Sequence, residues 1–196
     1  MTAPTGRTAL IIGASRGLGY ALAAEYLARG WQVTATVRGA RHTGLHDLAG
    51  SSAGRLVVET VADVSTDTFI RLMVTNALSP MRVVEALQDL VAPKGTIAVM
   101  SSGQGSVTNN TRGGFEVYRA SKSALNQLMR SFAARHAGDP RTLLLMAPGW
   151  VQTGLGGPGA PLTTGQSIPG VVDTIEAQTG QGRLQYLDYQ GKTVSW

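Results

Sequence analysis

Short runs of apolar residues alternate along this 196-residue chain with longer stretches in which apolar residues recur at helical spacing. The runs "TALII" (8–12), "WQVTATV" (31–37), "RLVVETV" (55–61), "GTIAVMSS", "RTLLLMA" and "RLQYLDY" predict six strands. The longer stretches predict a helix that stops at Gly30, one over about 66–91 with Ser65 as N-cap, one over 118–137, and one over about 165–179.

Several of the predicted strands are apolar throughout, which is typical of strands buried on both faces. Parallel strands need a crossover connection between them, and a helix usually supplies it. The sequence contains no repeat, low-complexity tract or linker. The pattern therefore predicts one α/β domain over residues 1–196, with a parallel sheet covered by helices on both faces.

Composition and charge narrow the function classes. The net charge is +5, but the 17 basic residues are scattered singly, so we expect no nucleic-acid binding and favour an anionic small molecule. No apolar run approaches the roughly 20 residues of a membrane span, and no signal peptide is recognisable, so a cytoplasmic protein is expected. The absence of cysteine excludes thiolate chemistry. His42 and His46 lack a third ligand, so we predict no metal site.

A glycine-rich turn, "GASRGLG", stands between the first predicted strand and the first predicted helix. Gly13, Gly17 and Gly19 allow the backbone to approach a pyrophosphate, and a helix N-terminus offers free N–H groups to it. Arg16 within the turn and Arg38 after the second strand suit a 2′-phosphate, so NADP(H) is favoured over NAD(H). The alternative is a plain tight turn with two surface arginines.

Tyr118 and Lys122 in "YRASK" are four residues apart and therefore lie on one face of the predicted helix. Taken alone, such a pair most often lies on the solvent-exposed face of a helix and has no catalytic role. A tyrosine phenol ionises only near pH ~10, and a neighbouring ammonium stabilises its phenolate. The pair therefore suits proton transfer, provided that a cofactor and a substrate bind beside it.

The motifs "GASRGLG", "SSGQG", "YRASK" and "APGWVQT", in this order, resemble those of the short-chain dehydrogenase/reductase family over nearly the whole chain. The short "APGWVQTGLGG" segment and the ending "YLDYQGKTVSW" are most similar to the C-factor-like carbonyl reductase branch. The resemblance implies a Rossmann-type, doubly wound parallel sheet in three α/β/α layers. It also implies hydride transfer between NADP(H) and a small-molecule carbonyl or alcohol.

The resemblance implies a role for each catalytic residue. Tyr118 is the general acid/base, and Lys122 tunes it and holds the nicotinamide ribose. Ser102 orients the substrate oxygen, and we choose it over Ser101 because "SGQG" fits the Ser-x-x-Gly pattern of the family. The residues implied at the cofactor are Gly13, Ser15, Arg16, Gly17, Leu18, Gly19, Arg38, Tyr118, Lys122, Pro148, Gly149, Val151 and Thr153.

Asn76 is the fourth catalytic residue that the resemblance implies, through a main-chain carbonyl that holds a relay water. Pro80, four residues later, has no N–H to donate to that carbonyl, so a kink is predicted there. Thr153 matches the family's nicotinamide-binding threonine. Gly154 follows it where an acidic residue is frequent, which puts the local loop geometry in doubt.

One element of the family is missing from the sequence. Relatives carry a helix and a central fourth strand between the third strand and the Asn76 helix, a unit of roughly 30 residues. Here "LVVETV" runs almost directly into "ADVSTDTF". Without that strand, two sheet edges would be unpaired. Our first hypothesis is a segment omitted near 61–63; a continuous chain there predicts a rearranged sheet and impaired cofactor binding.

Other functions stay open at this stage. A non-catalytic relative could keep the fold and act in nucleotide sensing or signalling, and a structural subunit could use the 118–137 helix as an interface. A homo-oligomer, dimer or tetramer, is expected from the resemblance. The short, Gly- and Pro-rich 150–166 loop indicates an open or small substrate pocket, and the substrate itself is not readable.

Overall fold

The computed structural model describes residues 7–37, 41–60 and 64–196. The chain divides into two compact units, Met1–Ser65 and Thr66–Trp196. In the described part of the chain no helix is long and apolar enough to cross a membrane. The predicted single domain is not tested by this division and stays a prediction.

The first unit is a three-stranded parallel sheet with two helices. Its elements are β1 (Thr8–Ile11), α1 (Gly17–Ala28), β2 (Gln32–Val37), α2 (Gly44–Ser51) and β3 (Leu56–Thr60), and the strand order is β1-β2-β3. Ile11 and Ala35 are paired in register and buried, and they share a core with Ala23 of α1 and Leu45 of α2.

The two faces of this first sheet differ in burial. Leu10, Thr34 and Val57 are paired across the three strands, so their side chains lie on one face of the sheet. Leu10 is 66% exposed and Val57 is 49% exposed, whereas the neighbouring row with Val33 and Leu56 is buried. Within this unit, the helices therefore cover one face of the sheet and leave the other accessible.

Helix α2 was not predicted from the sequence, which shows only a short glycine-flanked segment there. A capping box forms it: the Thr43 side chain and the His46 side chain each bond the other residue's backbone, with Thr43 N–H donating to His46 Nδ1 over 3.1 Å. Leu45 is completely buried and anchors the helix. His42 bonds Asp47 over 2.7 Å, so both histidines have local structural partners.

The second unit contains the other three strands and four helices. They are α3 (Thr66–Met73), α4 (Ser79–Leu87), β4 (Thr96–Met100), α5 (Glu116–Arg135), β5 (Thr142–Ala147), α6 (Thr164–Ala177) and β6 (Leu184–Asp188). A π-helical turn (Val74–Leu78) joins α3 to α4, and 3₁₀ turns occupy Gln88–Leu90 and Gly103–Gly105. The strands are parallel in the order β4-β5-β6.

The second sheet is covered on both faces, as the sequence predicts for a buried parallel sheet. All six residues of the central strand β5 are buried. Leu143 and Leu145 pack into a core with Leu125 and Phe132 of α5. Leu144 and Met146, which point to the opposite face, pack with Val171 of α6 and Leu187 of β6. This unit therefore has three α/β/α layers.

The described strands form two separate three-stranded sheets, one in each unit. Among the described residues β1 pairs only with β2, and β4 pairs only with β5, so each of these strands has an unpaired edge. The chain at 61–63, where we expected the omitted segment, lies outside the described residues. The expectation of two unpaired edges is met by the two separate sheets, and the parallel α/β class is confirmed.

Candidate active site

The glycine-rich turn leads from β1 into α1. Gly13 and Gly17 have φ of 77° and 60°, in the left-handed region, and nothing lies within 4 Å of a Cβ placed on either. A Cβ on Gly19 would lie 2.5 Å from the Gly13 carbonyl oxygen, so only glycine lets α1 begin so close to the turn. The Gly13 N–H donates to Thr36 Oγ1 over 3.0 Å, which ties the turn to β2.

This turn fits the pyrophosphate of a dinucleotide. Arg16 is the N-cap of α1, and its side chain makes no capping hydrogen bond. The first turn of the helix contains no acidic residue. The N–H groups of that turn and the positive end of the helix dipole therefore face no competing negative charge. Ser15 is half-buried, and Leu18 is exposed. Arg38 lies outside the described residues.

The predicted irregularity at Pro80 is present as a π-helical turn. The Ser79 N–H donates to the carbonyl of Val74, five residues earlier, so the helix widens just before the proline. Asn76 lies in this turn, and its Nδ2 donates to Ser121 Oγ on α5 over 3.0 Å. The Ser121 hydroxyl in turn donates to the Tyr118 carbonyl over 2.7 Å. Two hydrogen bonds therefore link Asn76 to the backbone of Tyr118.

The two serines after β4 have different environments. Ser101 is buried and donates its hydroxyl to Asn126 Oδ1 of α5 over 2.6 Å. Ser102 is half-buried, and its Oγ accepts from the Gln104 N–H over 3.2 Å as the N-cap of the next 3₁₀ turn. The hydroxyl of Ser102 can still donate, whereas that of Ser101 is committed, which favours Ser102 as the substrate ligand.

The turn that carries Ser102 is bonded to helix α5. The Gly105 carbonyl accepts from Ser123 Oγ over 2.8 Å and from Asn126 Nδ2 over 3.3 Å. A Cβ on Gly105 would lie 3.0 Å from Cβ of Lys122, so the turn and the helix are in close contact. This contact brings the strand end with Ser102 against the helix with Tyr118.

Lys122 reaches back to the end of β4. Its Nζ donates to the Met100 carbonyl over 3.1 Å. Gly95 and Ser101 exchange hydrogen bonds with β5, so the alternating residues, including Met100, face the unpaired edge of β4. Partial burial lowers the pKa of Lys122 from its ordinary 10.5. Two N–H donors of the ammonium remain for a ligand.

Tyr186 of β6 is a functional candidate that the sequence did not indicate. Its ring is 1% exposed, and its hydroxyl donates to the main-chain carbonyl of Ser102. Burial raises the pKa of Tyr186 above 10.0, and hydrogen bonds with Asn126 and Ser101 oppose this shift only in part. The phenol therefore stays protonated and remains a donor to Ser102. Nothing local marks this role, because the two residues are 84 positions apart.

The segment after β5 holds the residues expected beside the nicotinamide. Ser167 of α6 is fully buried and donates to the Pro148 carbonyl over 2.7 Å. Gly149 has a φ of 84°, and a Cβ there would lie 2.7 Å from Leu162. Val151 pairs with Leu162 in an isolated parallel bridge, which closes the loop on itself.

Thr153 organises the turn that follows. Its hydroxyl accepts from the Gly156 N–H over 3.0 Å. A Cβ on Gly156 would meet the Val151 carbonyl oxygen at 2.0 Å, so glycine is required at that position. This loop is therefore a tight, internally bonded turn, and the place of Thr153 at the nicotinamide stays a prediction.

Most apolar side chains in the middle of α5 belong to the core. Leu125, Met129 and Phe132 are fully buried in the core of the second unit, and Leu128 is 39% exposed. Among the described residues no group of three or more potential ligands is placed to hold a metal ion.

Comparison with known proteins agrees with this geometry. The profile of the short chain dehydrogenase family matches residues 40–159. The C-signal protein of Myxococcus xanthus is 35% identical over 138 residues, which make up 69% of this chain and 83% of that protein. The chain therefore belongs to the short-chain dehydrogenase/reductase family of oxidoreductases.

Solved structures are similar over almost the whole chain. A crystal structure from Burkholderia multivorans, described as a short-chain dehydrogenase/reductase with bound NADP, is 49% identical with a TM-score of 0.68, and the match covers 97% of this chain and 100% of that one. A carbonyl reductase from Pseudomonas aeruginosa in complex with NADP is 32% identical with a TM-score of 0.63, covering 98% and 100%.

Proposed function

We propose that this protein reduces small-molecule carbonyl compounds with NADPH, or oxidises the corresponding alcohols. The observation that carries the proposal is the position of Tyr118 and Lys122, one turn apart on α5, with α5 bonded to the turn of Ser102. The NADP named for the relatives from Burkholderia and Pseudomonas supports the same cofactor here.

The cofactor residues are drawn from the glycine-rich turn and the segment after β5. In the bound state, NADPH would supply a hydride to the carbonyl carbon of the substrate. The backbone of Gly13, Gly17 and Gly19 would hold the pyrophosphate, with Ser15 and Leu18 in the same turn, and Arg16 and Arg38 would hold the 2′-phosphate. Pro148, Gly149, Val151 and Thr153 would line the nicotinamide.

Reduction also requires a proton on the carbonyl oxygen, and Tyr118 is the group that would donate it. The carbonyl carbon gains the hydride, the oxygen gains the phenolic proton, and the product is the alcohol. The Lys122 ammonium stabilises the resulting phenolate. The hydroxyl of Ser102 would donate to the same substrate oxygen and fix its orientation.

Asn76 completes the proposed set in two ways. Its side chain supports α5 through Ser121. Its carbonyl lacks a donor at residue 80 because Pro80 has no N–H, so a water held there could pass protons from solvent to Lys122. The homo-oligomer expected from the resemblance stays a prediction.

A second candidate function is nucleotide-dependent signalling without turnover. The 35% identity to C-signal favours it, together with the unpaired edges of β1 and β4, which offer strands for contact with another protein. The two functions differ in their need for the Tyr118 hydroxyl: carbonyl reduction requires it as a proton donor, whereas signalling requires only that the nucleotide binds.

The cofactor preference is tested by titrating the protein with NADPH and with NADH and monitoring binding by tryptophan fluorescence. We expect NADPH to bind more tightly. Tyr118→Phe should then lower the carbonyl-reductase kcat by about 10²–10⁴-fold, because the proton donor is lost, while NADPH still binds.

Tyr26→Phe removes a hydroxyl from the first unit and serves as the matched control with unchanged kcat. Equal turnover in Tyr118→Phe and the parent protein would overturn the catalytic assignment. NADPH binding with no turnover of any carbonyl substrate would favour the signalling function.

A further inference from the structure

The connection between Ser102 and Tyr118 exposes large apolar side chains. Phe115 is 73% exposed and Val107 is 74% exposed. The next connection at the same end of the sheet, after β5, exposes Trp150 and Leu155. Strands β4 and β5 are parallel neighbours, so both connections leave the sheet at the edge where Ser102 stands.

Phe115 also has an unfavourable backbone conformation. As the N-cap of α5 it has a φ of 54° and a ψ of 36°, in the left-handed region where glycine is favoured. In the described part of the chain, Ala53 is the other non-glycine residue with positive φ. Neither the backbone nor burial favours a phenylalanine here, and such strained positions concentrate at ligand-binding sites.

The backbone of this segment is fixed by other residues. The Gly113 N–H donates to Asn110 Oδ1 over 3.1 Å, and the Gly114 N–H donates to Glu116 Oε1 over 3.0 Å. Arg119 Nε donates to the Gly114 carbonyl over 2.7 Å. These hydrogen bonds do not involve the Phe115 ring, so the ring can be replaced while the turn is kept.

Phe115 is the N-cap of α5 and precedes Tyr118 by three residues, so both residues stand at the N-terminal end of this helix. We propose that Phe115 binds the apolar substituent of the substrate, and that the substrates are carbonyl compounds with an aromatic or branched aliphatic group next to the carbonyl. This inference rests on the proposed function and names the substrate class of the same site. Val107, Trp150 and Leu155 would extend the apolar surface around that substituent.

The test compares an apolar and a polar probe in variants of residue 115. The dissociation constants of acetophenone and dihydroxyacetone are measured in the presence of NADP⁺ by ligand-observed NMR, together with kcat/KM for both under NADPH. Phe115→Gly should weaken acetophenone binding about tenfold, because the apolar contact is lost, and leave dihydroxyacetone unchanged. Phe115→Leu should weaken acetophenone binding by less than about threefold, because leucine keeps most of the apolar contact.

Ala53→Gly is the matched control, because it relaxes the same backbone conformation, with φ of 54°, in the first unit. Ala53→Gly should change neither the dissociation constant nor kcat/KM of either probe. Both glycine variants should keep a similar Tm. Unchanged acetophenone binding in Phe115→Gly, or equal losses for both probes, would overturn the inference. Phe115-dependent binding without any turnover would support this inference and contradict the proposed reductase activity instead.

Discussion

Tyr186 contributes one buried hydroxyl to the candidate site, and that hydroxyl donates to the backbone of Ser102. The serine side chain is oriented by its own backbone, so a bond to its carbonyl restricts where the hydroxyl of Ser102 can point. Asn126 performs a related task by binding Ser101 and Gly105 on either side. At the scale of residues, the site is therefore positioned by groups that need not touch the substrate.

Tyr186→Phe should lower kcat about tenfold while NADPH affinity stays unchanged, because Ser102 loses the donor to its carbonyl. The measurement is steady-state kinetics with a cofactor titration. In a Ser102→Ala background the same substitution should have little further effect, since Tyr186 acts through Ser102. Additive losses in the double variant would mean that Tyr186 serves the general fold.

At the scale of elements, Arg141 joins the connection after α5 to the turn that follows α4. Arg141 binds the Asp139 carboxylate through two nitrogens, and also donates to the carbonyl of Gln88 in the 3₁₀ turn that follows α4. Both charged side chains are largely buried. The bonds from Arg141 lower the pKa of Asp139 from 3.8 to about 2.

Asp139→Asn should lower the free energy of unfolding at pH 7 by about 1–2 kcal/mol, because a buried charge-assisted pair is broken. The folded-state pKa lies below the ordinary value, so the contribution is complete above pH 3.8 and is lost as the pH falls through about 2. Urea unfolding at pH 7, 4 and 2 should show the difference between the two proteins shrinking over that window.

Asp173→Asn replaces an exposed acid of α6 and is the control for this experiment. It should change the stability little at any pH. A difference between Asp139→Asn and the parent protein that is the same at pH 7 and pH 2 would contradict the assigned titration.

At the scale of the whole molecule, an exposed strand edge has consequences for association. Among the strands that the structure describes, β1 pairs with β2 alone, and Leu10 and Ile12 are 66% and 71% exposed. Exposed apolar edge strands invite pairing with other chains, and a charged side chain at such an edge opposes it.

Leu10→Lys should therefore reduce concentration-dependent association, measured by light scattering, with little change in the free energy of unfolding. Ile11→Lys, on the opposite face where the side chain is 8% exposed, should instead cost about 3 kcal/mol or more. A loss of stability in Leu10→Lys as large as that in Ile11→Lys would show that this face is covered in solution.

The order of strands and helices followed from the sequence, because apolar runs and helical spacing are local patterns. The helix predicted over 66–91 was correct in extent but divided in the structure into two α-helices with a π turn before Pro80, as the missing N–H of proline required. Helix α2 was missed, because its stability depends on the burial of Leu45 in a core assembled from distant strands.

Sequence alone determined the class of fold, the glycine-rich turn and the spacing of Tyr118 and Lys122, since each depends on residues close together in the chain. It also predicted two unpaired sheet edges, because the few residues between the third strand and the Asn76 helix cannot form the strand and helix that relatives carry there. Only the tertiary structure decided which groups support the site. The bonds of Tyr186 to Ser102 and of Asn126 to Ser101 join residues far apart in sequence, and a buried polar group finds its partner only when the sheets and helices have packed.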